Sequence, residues 1–289
     1  MSADSDGSLI RETRGVCPQC LQPAAARIRE MDGGVWLVKS CAEHGDSRAF
    51  LSADPAYFRD LYRFYSSVMP RSLPQRDYII RLTERCNLAC AICLAGANQD
   101  VLPDLTAADV RRLVQGRRGQ KLDLMGCEPT VLADLPEMVR VIVQSGNIAA
   151  LHTNGIALAD RDYARRLKDA GLHEVHLQFD ALDDGVYQVI RGRPLLETKL
   201  RALDNLSELG IPVDLVVTVL AGVNEKELLP ILEFGAKRAN VKEVFFLGCR
   251  PLGRAASGFE ARQLMPDQVI DLLAAATGGR ISRDKVRRF

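Results

Sequence analysis

Three cysteines stand in one short run, Cys86-Asn87-Leu88-Ala89-Cys90-Ala91-Ile92-Cys93, directly after the apolar, strand-like segment Tyr78–Leu82. Three thiolates this close can hold three irons of a cubane 4Fe–4S cluster. No fourth cysteine follows nearby, which leaves one iron open to a further ligand. Two plainer readings compete. The cysteines could be buried as small hydrophobes, or they could bind zinc, which needs a fourth ligand, usually from a second knuckle. No such knuckle follows closely after Cys93.

A second group lies upstream. Cys17-Pro18-Gln19-Cys20 and Cys41-Ala42-Glu43-His44 pair a C-x2-C knuckle with a C-x2-H knuckle, with the apolar Val35–Val38 as a short strand pair between them. Thiolate and imidazole in this combination suit tetrahedral zinc, with iron as the lesser alternative. So small a module buries little apolar surface, and a metal staple would hold it. The plain alternative is a set of unligated side chains in loops. Cys127 and Cys249 belong to neither group and read as small buried hydrophobes, with a hydrogen-donor or auxiliary-ligand role as the alternative. His173 and His176 lie three apart on a strand and face opposite sides, so they read as structural rather than as a shared metal site.

Regular elements must carry these groups. From Asp77 onward strand-like and helical patterns alternate. Strands are expected at Tyr78–Thr83, Lys121–Met125, Ile148–Thr153, Glu174–Phe179, Val213–Leu220 and Val244–Leu247. Helices are expected at Ala107–Gln115, Leu135–Gln144, Asp160–Ala170, Leu195–Leu209, Glu225–Lys237 and Pro266–Ala275. Thr106 suits a helix cap, with Asp109 in the capping-box position. Alternating β and α units argue an α/β protein with a parallel sheet and helices outside. Chemistry in such folds belongs at the C-terminal ends of the strands. Asp54-Pro55 reads as a cap and first helical residue, followed by an aromatic face from Tyr57 to Val68. That helix could glue two modules together, wall an apolar channel, or touch a membrane surface.

Composition excludes several classes. The chain has 289 residues, a formal charge of +1 and no long basic run, which argues against a nucleic-acid partner. No uncharged apolar stretch is long enough to span a membrane, and Met1–Gly7 lacks the apolar core of a secretion signal. Eight cysteines in metal-like spacings point to a reducing, cytoplasmic setting rather than to disulfides.

Further motifs fall at the expected strand ends: Gly126-Cys127-Glu128-Pro129-Thr130, His152-Thr153-Asn154-Gly155, Gln178-Phe179-Asp180, Val219-Leu220 and Gly248-Cys249-Arg250-Pro251. With the cysteine run, they resemble the radical S-adenosylmethionine (SAM) superfamily. The resemblance implies a partial (β/α)6 barrel behind a small zinc-ribbon or rubredoxin-like module. It implies a 4Fe–4S cluster on Cys86, Cys90 and Cys93 as the catalytic group, with SAM chelated to the open iron. Reductive cleavage of SAM then yields methionine and a 5′-deoxyadenosyl radical, the cofactor carrying the hard chemistry. The Gly126–Thr130 stretch resembles the family's G-G-E-P motif, with Cys127 in place of the second glycine and Pro129 kept. By the resemblance, Gly126, Cys127 and Glu128 receive the SAM amino group, while Thr153, Asn154 and Gln178 line its ribose and methionine. Ile92 and Val219 would cover the adenine. Asp180 would bind ribose, orient substrate or cap the next helix, and Arg193 rather than Arg191 would meet the SAM carboxylate.

The joint layout adds Val175-His176-Leu177-Gln178-Phe179-Asp180-Ala181-Leu182-Asp183-Asp184 and Ile190-Arg191-Gly192-Arg193 to the two cysteine groups. It resembles the class D radical SAM methyltransferase group, which includes pterin dimethyltransferases and tetraether-lipid synthases. That implies methylation or carbon–carbon joining at an unactivated carbon of a small or lipid-like substrate, and a reductant such as flavodoxin or ferredoxin. Alternatives are a peptide- or cofactor-maturing enzyme, and an inactive metal-stabilised binding protein. The expected organisation is a lead-in at 1–14, a ribbon at 15–52, a connecting helix at 53–75, a barrel at 76–260 and a C-terminal helix with basic tail at 261–289. Members of the group continue with more cysteine-bearing segments, whereas no cysteine follows Cys249. The expectation is a short or truncated variant without a second cluster.

Overall fold

The computed structural model describes residues 7–68, 77–99 and 102–283, and the chain divides into two units, 1–73 with 265–289 and 74–264. The first unit is built on an antiparallel meander, β1 (Ser8–Val16), β2 (Pro23–Met31), β3 (Gly34–Cys41) and β4 (Gly45–Ser52), paired in that order. The expected lead-in therefore gives way to a strand at Ser8, and one strand pair becomes four strands. Alanines at alternate positions give β2 little signal in the sequence. Ala24, Ala26 and Ile28 are buried in period two, but alanine and arginine carry little strand preference. Asp32 and Gly33 both take positive φ, 52° and 72°, and close a tight hairpin between β2 and β3. Trp36 of β3 meets Phe50 of β4 edge-on, with ring centroids 5.0 Å apart.

Helix α1 (Pro55–Val68) follows. Asp54 Oδ1 accepts the amides of Ala56 and Tyr57 at 2.9 and 3.0 Å, the expected cap. Tyr57 is buried, but Leu61, Tyr62, Phe64 and Tyr65 remain exposed.

The second unit alternates strand and helix: β5 (Asp77–Arg81), α2 (Ala107–Val114), β6 (Lys121–Met125), α3 (Leu135–Gln144), β7 (Ile148–Thr153), α4 (Arg161–Asp169), β8 (Glu174–Gln178), α5 (Asp184–Arg191), α6 (Leu196–Glu208), β9 (Val213–Val219), α7 (Leu228–Ala236) and β10 (Val241–Gly248). The six strands are parallel and lie in the order β10-β9-β8-β7-β6-β5. This is the α/β architecture expected of a partial (β/α)6 barrel. One sheet face is apolar: Leu122, Leu124, Leu151, Val175, Leu177, Val213, Leu215 and Val217 are buried. Helix residues Met138, Ile142, Leu167, Leu203, Leu206 and Ile231 are buried as well. Each such side chain contributes roughly 1.5–3 kcal/mol when removed from water. The period-two alternation turns Lys121, Asp123, His152, Glu174, His176 and Asp214 to the opposite, inner face.

The sheet curls. Laid flat, six strands would span about 24 Å. Yet Arg254, after the last strand, donates to the carbonyls of Cys90, Cys93 and Ala97, after the first, at 2.9 Å each. Gly253 makes this approach feasible: its φ is +57°, and a Cβ there would stand 2.4 Å from the Cys93 and Leu94 carbonyl oxygens.

Two differences from expectation bear on the site. Helix α5 (Asp184–Arg191) forms where no helix is expected from the pattern. It starts where Asp183 accepts the Gly185 amide at 2.7 Å and ends at Gly192 in the left-handed region. The expected helix from Glu225 opens as a 3-10 turn, Glu225–Glu227, before α7. The chain then returns to the first unit as α8 (Pro266–Ala276). There Asp267 Oδ2 accepts from Ser52 Oγ and the Ala53 amide at 2.9 and 2.7 Å. The expected separate C-terminal segment is thus part of the ribbon's unit. Among the described residues, no helix is long and apolar enough to cross a membrane.

Candidate functional site

Two tight turns carry the ligands of the ribbon. Cys17 and Cys20 flank the turn between β1 and β2, while Cys41 and His44 flank the turn between β3 and β4. The four ligand atoms lie within 4.8 Å of one another. Cys20 Sγ stands 3.8 Å from Cys41 Sγ, and His44 Nδ1 lies 3.6 Å from Cys41 Sγ and 3.8 Å from Cys17 Sγ. Two sulfurs each about 2.3 Å from a tetrahedral zinc stand roughly 3.8 Å apart. The donor set therefore fits one zinc.

The second cysteine set is arranged differently. Cys86, Cys90 and Cys93 pack around one apolar patch of Leu88, Ala181, Tyr187 and Leu195. The Leu88 amide points at Cys86 Sγ and the Ala97 amide at Cys93 Sγ, each at 3.4 Å. Amides aimed at sulfur favour the thiolate, and such bonds tune iron–sulfur clusters. Burial pushes the Cys86 thiol up to about 11. Among the described residues these three sulfurs do not close to single-ion spacing, as the ribbon ligands do. They fit a group larger than one ion.

The turn after β6 stands beside this loop. Gly126 has φ +154°, and a Cβ there would meet the Thr83 carbonyl oxygen at 2.6 Å, so glycine is required. The following Cys127 is not among the positive-φ residues, and its amide donates to Thr83 O at 3.0 Å. Cysteine therefore replaces the second glycine without strain. Pro129 starts the short 3-10 turn that Glu128 caps. Glu128 has no exposed surface. Its Oε1 accepts from Thr130 and from Thr153 Oγ1 at 2.7 Å, and its Oε2 accepts the Asn154 amide at 2.7 Å. Burial raises its pKa. The Glu128 carboxylate thus binds the turn that it caps and the end of β7. Asn154 Nδ2 donates to Asn87 Oδ1 at 2.7 Å, tying that end to the cysteine loop.

A further network lies under the rim. Asp180 is fully buried and takes Arg191 in a fork, Nε to Oδ2 at 2.8 Å and Nη2 to Oδ1 at 3.0 Å, together with the Thr218 amide and the Gln178 amide group. Asp183, not Asp180, caps the helix, which removes that reading of Asp180. Burial works against the Arg191 charge, but Asp180 outweighs it and holds the guanidinium firmly protonated. Arg191 ends a helix and points inward, whereas Arg193 lies exposed beyond Gly192. The structure thus buries Arg191 beside Asp180 and leaves Arg193 at the surface. Ile92 packs with Leu220, Cys249 and Ala255, and Val219 is buried.

Lys199 went unnoticed in the sequence. It sits on α6, fully buried, and its Nζ donates to Asn154 O, Gln178 O and Gln178 Oε1 at 2.8, 2.6 and 2.9 Å. Burial pushes its pKa down to about 7. A lysine in a helix otherwise reads as solvated, and only its place at an apolar helical position could have signalled it. His176 was read as structural, yet it joins His152 and Asp123 on the inner sheet face.

The family model for the radical SAM superfamily matches residues 80–235, more than half of the chain. The chain belongs to the radical SAM superfamily. A second model, the HMPTM N-terminal zinc ribbon domain, matches residues 9–53 of this radical SAM chain. Among curated relatives, a 7,8-dihydro-6-hydroxymethylpterin dimethyltransferase of Methanocaldococcus jannaschii is 30% identical, over 95% of this chain and 60% of its own length. A probable GTP 3′,8-cyclase of Pyrococcus abyssi is 32% identical, over 57% of this chain and 54% of its own. The chain thus spans less than two thirds of either relative. The class D methyltransferase resemblance agrees with both the ribbon match and the first relative. In fold, the radical SAM chain is similar to Streptococcus suis SuiB bound to S-adenosylmethionine, with TM-score 0.59 at 13% identity, covering 87% of this chain and 68% of that one.

Proposed function

We propose that this chain binds a 4Fe–4S cluster through Cys86, Cys90 and Cys93, cleaves SAM reductively there to methionine and a 5′-deoxyadenosyl radical that removes a hydrogen from an unactivated carbon of a small planar substrate of the pterin class, and so prepares that carbon to take a methyl group from a separate one-carbon donor of the reduced-folate type, with the remaining electrons coming from the reductant. The observation that carries the reading is the three-cysteine loop, whose sulfurs receive backbone amides, joined to a ribbon shared by model with the pterin enzyme family. When bound, the cluster and SAM would supply a carbon radical able to remove an unactivated hydrogen.

The chain's own residues position and enclose. Glu128, Thr153 and Asn154 hold the end of β7 against the cysteine loop. Backbone carbonyls of the Gly126–Glu128 turn remain the acceptors suited to the SAM amino group. Arg191 and Asp180 form a buried charge pair just after β8. Ile92, Leu220 and Cys249 form an apolar wall, which keeps water from a reactive intermediate. Zinc in the ribbon would be structural, because four protein ligands leave no open position.

The test is an anaerobic incubation of the reconstituted chain with SAM, a low-potential reductant, a methylenetetrahydrofolate-type one-carbon donor and 6-hydroxymethyl-7,8-dihydropterin. The expected product is the pterin heavier by whole methylene units. Formation of 5′-deoxyadenosine with unchanged pterin would reject the substrate class.

A further inference from the structure

The cysteine loop does little to hold its own shape. Between Cys90 and Ala97 it is a series of turns, with neither helix nor strand. Its internal main-chain bonds are long. The Cys93 amide reaches Cys90 O at 3.3 Å, and the Gly96 amide reaches Cys93 O at 3.4 Å. Both lie beyond the usual N–H···O range. The base of the loop is firmer: the Cys86 amide donates to Asn98 Oδ1 and the Asn98 amide to Glu84 O, each at 2.8 Å. The second and third cysteines stand in the span between those ties.

Arg254 supplies what the span lacks. It sits in the short 3-10 turn Gly253–Ala256, after the last strand of the sheet. Its amide donates to Cys93 O, its Nε to Cys90 O and its Nη1 to Ala97 O, all at 2.9 Å. The two guanidinium bonds are charge-assisted and stronger than neutral ones. They cross 164 and 157 residues of sequence, so no local pattern announces them. The next residue, Ala255, has no exposed surface and shares one apolar cluster with Ile92, Leu220 and Cys249. Ile92 lies between the second and third cysteines. The turn therefore grips the loop by packing as well as by hydrogen bonds.

The charge of Arg254 is also left uncancelled. Both guanidinium bonds go to carbonyls, and among the described residues no carboxylate pairs with it. Its Nη2 is buried and finds no acceptor among the described residues. Arg191, by contrast, is forked by Asp180, so that pair carries no net charge. An uncompensated charge partly out of water acts on its neighbours more strongly than a solvated one.

We propose that Arg254 is a positioning residue for the three-cysteine loop. It sets the Cys90–Ala97 span in ligating geometry, which couples closure of the sheet to the binding of iron, and its uncancelled charge favours the reduced form of the cluster bound there. The inference rests on the cluster reading above. Thiolate ligands bring negative charge and reduction adds more, so a fixed cation beside the ligands stabilises the reduced state.

Two readouts on the full chain test this. Hydrogen exchange, followed by mass spectrometry on the zinc-loaded, iron-free protein, reads the clamp. In Arg254→Ala the amides of residues 90–98 should exchange about tenfold or more faster than in the wild type, the worth of a charge-assisted hydrogen bond. Exchange in β7 and β8, and the zinc content, should not change. A redox titration of the reconstituted protein, followed by electron paramagnetic resonance, reads the charge. At one ambient potential the ratio of reduced to oxidised cluster should fall about three- to tenfold in Arg254→Ala. Arg254→Lys keeps the charge and loses the fork, so it should exchange faster at a wild-type ratio. Loop exchange or redox ratio unchanged in Arg254→Ala overturns the inference. Where that variant fails to fold, Arg254→Lys decides: wild-type exchange, or a ratio that falls, overturns it. A wild type that binds no iron rejects the cluster reading and with it the redox role, while the iron-free exchange still decides the clamp.

Discussion

The ribbon and the barrel loop use the same side chain for opposite ends. In the ribbon, Cys17, Cys20, Cys41 and His44 converge within 4.8 Å, and two tight turns supply all four corners of a tetrahedron. In the loop, Cys86, Cys90 and Cys93 spread around an apolar patch and leave a corner unfilled. Surroundings differ as well. The ribbon ligands sit on a small antiparallel meander with a sparse core, where a metal replaces missing burial. The loop rests on a fully buried polar network of Glu128, Asp180 and Lys199. Ligand count and the use of spare hydrogen bonds, more than cysteine itself, separate a staple from a reaction centre.

The contrast breaks most visibly if ligands are removed from the ribbon. His44→Ala or Cys41→Ser should release one zinc per chain and loosen β1–β4. Structural zinc contributes about 10–16 kcal/mol to folding in isolated finger peptides, so the effect should be large. Limited proteolysis should become much faster within residues 8–52, while iron content stays at the wild-type level. Loss of iron together with zinc would show that the two centres are not independent.

A smaller effect sharpens the comparison from the barrel side. Lys199 has its pKa pushed down to about 7 from an ordinary 10.5. Between those values the unfolded chain holds a proton that the folded chain has released. Stability should therefore rise with pH across that window, by at most about 1.4 kcal/mol per unit, and stay level above it. Denaturation midpoints of the zinc-loaded protein between pH 7 and 9 measure the slope. Lys199→Met should flatten it. An equal slope in both proteins would mean that Lys199 stays charged when folded.

Much of this arrangement was legible in the sequence, for physical reasons that differ by region. Lys121–Met125, Leu135–Gln144 and Ile148–Thr153 have the bounds expected from pattern alone. Buried parallel strands and one-sided helices write strong periodicities. Both ligand groups are local in sequence, so spacing revealed them. What escaped depends on long-range register or on weak local signals. Helix α5 is short and opens on Asp184-Gly185, which hid Arg191 behind an apparent loop. Alanine-rich β2 lacked strand preference. Lys199 and the inner-face group of Asp123, His152, His176 and Asp214 come together only when four strands and a helix are placed. Glu128 was found as a motif residue, but its commitment to Thr153 and Asn154 is a tertiary fact.

The most direct test compares wild type with the Cys86→Ala, Cys90→Ala, Cys93→Ala triple variant after anaerobic reconstitution, scoring iron, zinc and 5′-deoxyadenosine formed from SAM under dithionite. The wild type should hold about four irons, the cubane complement, and one zinc, and should release 5′-deoxyadenosine. The triple variant should lose the iron and the product while keeping its zinc. Iron retained by the variant, or no SAM cleavage by the iron-loaded wild type, would contradict the account.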